Sequence, residues 1–164
     1  MKPYLTLVET SYCGRPWVYA KASEQLIIML PRTQDGRYVG ISQSRPAFQG
    51  RVLSPVMGTF HETNPHKMLI TAAQEIKSET GHECIDVRFV MTIARSSGLT
   101  DETAHVYSAV VSNEAGEQEL HNEDINVAYF NSKEEIAQAM QWGWKDGYVI
   151  DSSFPLFLLL GDHI

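Results

Sequence analysis

The sequence contains little cysteine and no long apolar run, and these two shortages exclude several classes of protein. Only two cysteines, Cys13 and Cys84, occur among 164 residues, outside any Cys-x-x-Cys pattern. We expect two reduced, mostly buried thiols, because a chain of this length buries a core without disulfides. No apolar run reaches the roughly 18 residues of a membrane span, and the charged N-terminus is unlike a signal peptide. The composition therefore predicts a soluble, cytoplasmic protein.

Positive charge is also scarce. The chain has 13 Lys and Arg residues against 20 Asp and Glu residues, which gives a formal net charge of −7. Because phosphate backbones favour a basic surface, we expect no nucleic-acid partner. A phosphorylated small molecule is still compatible, since divalent cations can lie between carboxylates and phosphates. Without repeats, low-complexity tracts or linkers, residues 1–164 are predicted to form a single domain.

The first part of the chain has the pattern of β-strands. Short β-branched and aromatic runs predict strands at residues 4–8 and 17–20, and a turn signal at Asp35-Gly36 predicts a hairpin over residues 25–42. A further strand is predicted over residues 51–56, followed by a loop over residues 57–64. Strands are predicted again at residues 84–94, 104–112 and 125–130.

Two helices have clear start and stop signals. Asn64 is a typical N-cap before Pro65, apolar residues then recur at helical spacing, and Gly81 is a typical C-terminal stop. Ser132 and Glu135 form a capping-box pattern that opens a second helix ending near Trp142. A short third helix is predicted to begin near Ser153. This order of elements predicts an α/β fold with a mixed sheet packed between helices.

The first helix carries the residues that suggest chemistry. Glu75 and Glu79 are four residues apart, so they lie on one face of the helix. Two carboxylates at this spacing can share Mg²⁺ or Mn²⁺, although the same spacing is common on solvated helix faces. Gly58 lies before the helix, where it allows close approach to a ligand. Glu62 and Glu123 are further acids that can join the site.

These residues resemble the Nudix box, in which a glycine is followed downstream by Arg-Glu-aliphatic-x-Glu-Glu-x-Gly. The matching residues here are Gly58, Glu75, Ile76, Glu79 and Gly81. The resemblance implies that the carboxylates of Glu75 and Glu79, with the backbone carbonyl of Met57, ligate Mg²⁺ or Mn²⁺. Gln74 stands where the family has arginine, and Ser78 stands where it has the first of two paired glutamates.

The flanking segments are similar to the ADP-ribose and ADP-sugar pyrophosphatases of the same superfamily. The similarity lies in residues 43–58, which lead into the box, and in the Asn-Glu-Asp-Ile stretch at residues 122–125. It implies the Nudix α/β/α sandwich and an enzyme acting on acid anhydrides. The expected reaction is Mg²⁺-dependent hydrolysis of the diphosphate bond of a nucleoside diphosphate linked to another group, with ADP-ribose or a nucleotide sugar favoured.

The resemblance also assigns further site residues, each beside a simpler alternative. His121 or Glu123, or Glu75 from the helix, is the general base, and Glu123 can also reach a metal. His121 is otherwise an exposed loop histidine and Glu123 a surface acid. Arg45 is predicted to bind the diphosphate, with Arg51 as a lesser candidate, and a structural ion pair is the alternative. Three aromatic residues can stack on a base or fill the core, namely Trp17, Tyr19 and Phe48.

Two other functions are compatible with the same resemblance. Gln74 and Ser78 suggest a nucleotide-binding protein on the Nudix fold with weakened catalysis. An NTP or dNTP pyrophosphohydrolase of the superfamily is the second. The resemblance further implies a homodimer paired through the N-terminal strands.

Overall fold

The computed structural model describes residues 4–61, 64–121, 123–143 and 147–160. Within these ranges the chain is rich in strands and has few helices. The elements follow one another in the order β1 Leu5–Tyr12, β2 Arg15–Ala22, β3 Gln25–Thr33, β4 Tyr38–Arg45, a 3-10 helix Pro46–Phe48, β5 Gly50–Ser54, β6 Val56–Phe60, α1 Pro65–Thr80, β7 His82–Ala94, β8 Thr103–Ala115, β9 Ile125–Phe130, α2 Lys133–Trp142, β10 Tyr148–Ile150 and α3 Leu156–Leu160.

Eight of the strands form one mixed sheet. Its main path runs β10-β5-β4-β3-β8-β7, while β6 pairs with β3 and β9 pairs with β4. The pairs β3–β8 and β10–β5 are parallel, and the other pairs in the sheet are antiparallel. This confirms the predicted α/β class with a mixed sheet.

Helices cover both faces of this sheet. In β3, successive side chains alternate between two apolar clusters, as the pleat of a strand requires. Ile27 and Met29 pack in the cluster that contains α1, and Ile28 and Leu30 pack in the cluster that contains α2 and α3. All four of these side chains are 0% exposed, so β3 is the centre of the core.

Helix α1 begins and ends where the local sequence predicts. The Asn64 side chain accepts a hydrogen bond from the His66 backbone N–H at 2.9 Å. Gly81 has a φ of 75° and donates its backbone N–H to the Lys77 carbonyl at 2.8 Å. A glycine is favoured there because side chains are strained at positive φ. The buried stripe of Met68, Ala72 and Ile76 fixes the helix against the sheet.

Two predictions about the elements are wrong. The strand predicted over residues 51–56 is interrupted at Pro55, which has no backbone N–H to donate, so that β5 pairs with β4 and β10 whereas β6 pairs with β3. The loop predicted over residues 57–64 begins as strand β6, because residues 56–60 pair with residues 25–29 of β3. The predicted third helix is present as α3, which begins at Leu156 after a turn, and strand β10 has no counterpart in the prediction. Across the described residues, every helix is too short or too polar to serve as a membrane span.

Strands β1 and β2 form a separate two-stranded hairpin, and most of its side chains are exposed. Leu7 is 77% exposed and Val18 is 53% exposed. Backbone hydrogen bonds join Ala20 of the hairpin to residues 99 and 101. Cys13, predicted as mostly buried, is exposed in the turn between the strands, with a φ of 51°. That prediction is wrong because the hairpin turn has no core beneath it.

Candidate functional site

A cavity of about 560 Å³ lies between α1 and the neighbouring ends of strands β4, β5 and β6. Three predicted acids line it, Glu75, Glu79 and Glu123, and so does the predicted cation Arg45. Met57 and Gly58 also line this cavity. The fold therefore brings together groups that are distant in the sequence, with carboxylates from a helix and a loop in the same cavity as the guanidinium of Arg45.

Glu79 has the most unusual environment of these acids. The residue is only 7% exposed, and its Oε2 atom has no hydrogen-bond partner within the described residues. Burial raises the pKa of Glu79 to about 8, and the nearby charges of Glu75 and Glu123 act in the same direction. A backbone hydrogen bond with Met57 and the charge of Arg45 oppose this rise in pKa. A buried carboxylate without a partner costs free energy, which a bound cation would offset.

The side chain of Glu75 packs against strand β6 in the space that a side chain at position 58 would occupy. A Cβ atom built on Gly58 would lie 2.7 Å from the Cδ atom of Glu75, which is closer than carbon atoms approach. Burial, followed by the charge of Glu123, raises the pKa of Glu75 as well. The glycine therefore makes room for the carboxyl group of Glu75 at the cavity wall.

The cavity presents the donor atoms of a partial metal site. Among the residues described by the structure, no three His, Cys, Asp or Glu side chains converge closely enough to hold a metal ion on their own. Mg²⁺ commonly binds one or two carboxylates and keeps several water ligands, so the pair Glu75 and Glu79 is compatible with it. Glu62, predicted as a further acid, lies outside the described residues.

Two predicted site residues do not line the cavity. The Arg51 guanidinium lies 2.8 Å from the Asp124 carboxylate and 2.9 Å from the Ser42 hydroxyl oxygen. His121 is exposed on the surface. For these two residues the placement agrees with the alternatives, an ion pair for Arg51 and an exposed loop histidine for His121.

A second charged group at the cavity was missed in the sequence. Arg95 lies 3.3 Å from Asp151 and 3.7 Å from Glu102, and Glu102 accepts a hydrogen bond from the Tyr4 hydroxyl at 2.5 Å. All four residues line the cavity. The hydrogen-bonded pair Tyr4 and Glu102 is separated by 98 positions along the chain, so no local pattern indicates this group. Of the three candidate stacking aromatics, Phe48 alone lines this cavity.

Comparison with known proteins gives one distant relative and no family assignment. No protein-family model matches the chain. The chain is 25% identical over 83 residues to a methanol dehydrogenase activator from Bacillus methanolicus. This match covers 51% of the present chain and 44% of that protein, so less than half of the relative is represented.

This relative contradicts the function predicted from the sequence. The prediction was hydrolysis of the diphosphate bond of ADP-ribose or a nucleotide sugar, whereas the relative is named for activating another enzyme. The prediction of hydrolysis is therefore wrong. At the two positions that depart from the motif, Gln74 is exposed and the Ser78 hydroxyl donates to the Glu75 carbonyl at 3.2 Å, so neither residue adds a charge to the cavity.

Proposed function

We propose that this chain is a regulatory protein that activates a partner enzyme, and that its active form holds a divalent cation in the acidic cavity. The first half of this proposal is supported by the relative that is named as an activator. The proposed partner is a dehydrogenase, the class of enzyme in that relative's name. Enzymatic turnover by this chain and a nucleotide ligand stay predictions from the resemblance.

The cation is supported above all by the buried carboxylate of Glu79, whose Oε2 atom has no hydrogen-bond partner in the part of the chain that the structure describes. Two other acids, Glu75 and Glu123, line the same cavity and raise its negative potential. Carboxylate oxygens are the donors that hard cations prefer, and Gly58 keeps the Glu75 carboxyl group at the wall. Mg²⁺ or Mn²⁺ fits this donor set.

Glu75, Glu79 and the Met57 carbonyl would hold the cation, and Glu123 would reach it through one of the water ligands that Mg²⁺ keeps. A bound cation would neutralise the charges that raise the pKa of Glu79 and would supply an electrophilic contact for an anionic ligand group. Arg45 lines the cavity, its side chain has no hydrogen bond or ion pair with another described residue, and its guanidinium is suited to the same anionic group. The cavity would then hold a cation on the carboxylates of α1, and an anionic ligand group would lie between this cation and Arg45 of β4.

The finer architecture is part of the proposal. We infer an α/β/α sandwich of the Nudix type, because α1 lies on one face of the mixed sheet and α2 and α3 lie on the other. We also infer a homodimer in which a second copy covers the β1–β2 hairpin. The exposed apolar side chains of that hairpin support this inference, since a two-stranded hairpin alone is only marginally stable in water.

The activation proposal is tested by adding the purified chain, with Mg²⁺, to a methanol dehydrogenase and measuring the initial rate of methanol oxidation. We expect the wild-type chain to raise the rate and Glu79→Gln to raise it much less. Glu114→Gln is the matched control, because Glu114 is an exposed acid at the end of β8, outside the cavity. An unchanged rate at a saturating excess of wild-type chain would overturn the activator proposal.

A further inference from the structure

A row of polar residues crosses three neighbouring strands behind the wall of the cavity. Strand β4 lies between β5 and β9, with Ser44 opposite Arg51 in the register of β4 and β5. Asp124 immediately precedes β9, and its carbonyl accepts the Ser44 backbone N–H at 3.3 Å. We call Asp124, Ser44 and Arg51 the clamp.

The clamp and the cavity lie on opposite faces of these strands. Arg45 and Glu123 line the cavity, whereas their chain neighbours Ser44 and Asp124 do not. Successive side chains of a strand point to opposite faces, which explains this alternation. The clamp can therefore act on the cavity only through the backbone that it fixes.

The hydrogen bonds of the clamp are numerous for a surface group. The Ser44 hydroxyl donates to Asp124 Oδ2 at 2.6 Å, and Arg51 Nη1 donates to the same oxygen at 2.8 Å. Arg51 also donates through Nε to the Ser42 hydroxyl at 2.9 Å and through Nη2 to the carbonyls of Ser42 and Asp124. Isolated surface ion pairs contribute little, but a guanidinium that uses all three nitrogens fixes the geometry of its partners.

Glu123 depends on this fixed backbone more than the other acids do. Glu75 and Glu79 are carried by the rigid helix α1, whereas Glu123 precedes the first residue of β9. Within the described residues, no hydrogen bond of its own holds the exposed side chain of Glu123. The adjacent Asp124 is hydrogen-bonded to Ser44 of β4 and to Arg51 of β5, which ties the chain next to Glu123 to the sheet.

We propose that the clamp is a positioning device, which sets the Glu123 carboxylate at the cation site from the reverse face of the sheet. This inference rests on the proposed cation site. It assigns Asp124 and Arg51 to positioning and not to ligand contact.

The test measures Mn²⁺ affinity by electron paramagnetic resonance titration for the wild-type chain, Asp124→Asn and Ser44→Ala. Removal of a residue that orients a metal ligand lowers metal affinity by about tenfold or more. We therefore expect Asp124→Asn to bind Mn²⁺ about tenfold more weakly than the wild-type chain. Ser44→Ala, which removes one bond of the network, should show a smaller loss in the same direction. Asp86→Asn is the control, because Asp86 pairs with Arg88 at 2.7 Å on β7 and lies outside the cavity.

A double-mutant cycle separates positioning from a general structural effect. If the clamp acts through Glu123, Asp124→Asn has no further effect on Mn²⁺ affinity in a Glu123→Gln background. An equal loss in both backgrounds overturns the inference, as does a wild-type affinity in Asp124→Asn. If Asp124→Asn does not fold, the same cycle is run with Ser44→Ala.

The cycle also distinguishes this inference from the proposed cation site. If Glu79→Gln loses the Mn²⁺ binding of the wild-type chain and Asp124→Asn keeps it unchanged, the positioning role of the clamp is overturned and the proposed cation site stands. A wild-type chain that binds no Mn²⁺ overturns both.

Discussion

The acidic cavity and the β1–β2 hairpin depart from ordinary protein architecture in opposite ways. In the cavity, the chain buries the carboxylate of Glu79, and no described residue forms a hydrogen bond with its Oε2 atom. In the hairpin, it exposes large apolar side chains such as Leu7 and Val18 without covering them. Folded chains usually pair their buried charges and cover their apolar faces.

A bound ligand in each region would account for both the unpartnered carboxylate of the cavity and the exposed apolar side chains of the hairpin. A divalent cation would complete the cavity, because its positive charge would balance the negative charges of the carboxylates. A protein surface would complete the hairpin, because it removes the apolar side chains from water. The comparison therefore predicts that changes in the cavity alter ion binding and pH dependence, whereas changes in the hairpin alter association.

The largest expected effect is on cation affinity in Gly58→Ala. The new Cβ atom would displace the Glu75 carboxyl group, which is the far end of a flexible side chain, so the fold should survive. We expect Mn²⁺ affinity to fall by about tenfold or more, with little change in the urea midpoint. Isothermal titration calorimetry and urea unfolding check the two parts separately.

Gly81→Ala is the matched control for this substitution. Gly81 has a φ of 75°, and its new Cβ atom would meet the backbone carbonyl of Gly116, which cannot move as a side chain can. We expect a loss of more than about 1 kcal/mol in the free energy of unfolding. Equal affinity in Gly58→Ala and the wild-type chain would break the assignment of Glu75 to the cation site.

The next effect in size is the pH dependence of stability in Glu79→Gln. The pKa of Glu79 is raised from its ordinary value to about 8 in the folded chain. Between these two pKa values the folded state keeps a proton that the unfolded state has lost, so stability falls as the pH rises. In metal-free buffer we therefore expect Glu79→Gln to melt about 5 °C or more above the wild-type chain at pH 8, with a smaller difference at pH 5.

Differential scanning calorimetry at the two pH values checks this prediction, and Glu114→Gln again serves as the control. Added Mg²⁺ should raise the wild-type melting temperature at pH 8 and leave that of Glu79→Gln nearly unchanged. The prediction fails if the difference between the two proteins is the same at both pH values.

The smallest effect on folding is expected in the hairpin. Leu7 and Val18 lie on one face of it, because Leu7 is paired with Ala20 and Val18 with Glu9 in the cross-strand register. The double variant Leu7→Lys, Val18→Lys should be monomeric in sedimentation experiments in which the wild-type chain is a dimer. Surface changes of this kind alter folding by about 0.5 kcal/mol or less.

Thr10→Lys adds charge to the opposite face of the same hairpin and is expected to leave the dimer intact. A wild-type chain that sediments as a monomer would remove the proposed dimer and leave the exposed apolar face of the hairpin without this explanation.

The sequence predicts the elements whose signals are local. Helix α1 has its cap, its proline and its terminal glycine within one segment, so its bounds are readable from residues 64–81. Strand β9 is likewise predicted over Ile125–Phe130. Strand β6 was missed, because its conformation is fixed by pairing with β3, about thirty residues away.

The site is predictable only in part for the same reason. The spacing of Glu75 and Glu79 is visible along one helix, and Gly58 stands out as a glycine before it. The unpartnered oxygen of Glu79 and the charged group around Arg95 depend on distant residues that meet only in the fold. Likewise, the bonds that hold Arg51 to Asp124 span 73 positions and have no local signature.

The central claim is that the acidic cavity holds a divalent cation, and a crystal structure of the chain soaked with Mn²⁺ tests it most directly. The account predicts an anomalous peak in the cavity, with carboxylate oxygens of both Glu75 and Glu79 at about 2.0–2.3 Å, typical of hard divalent cations. A well-ordered cavity without a peak at saturating Mn²⁺, or a peak bound elsewhere on the chain, would contradict it.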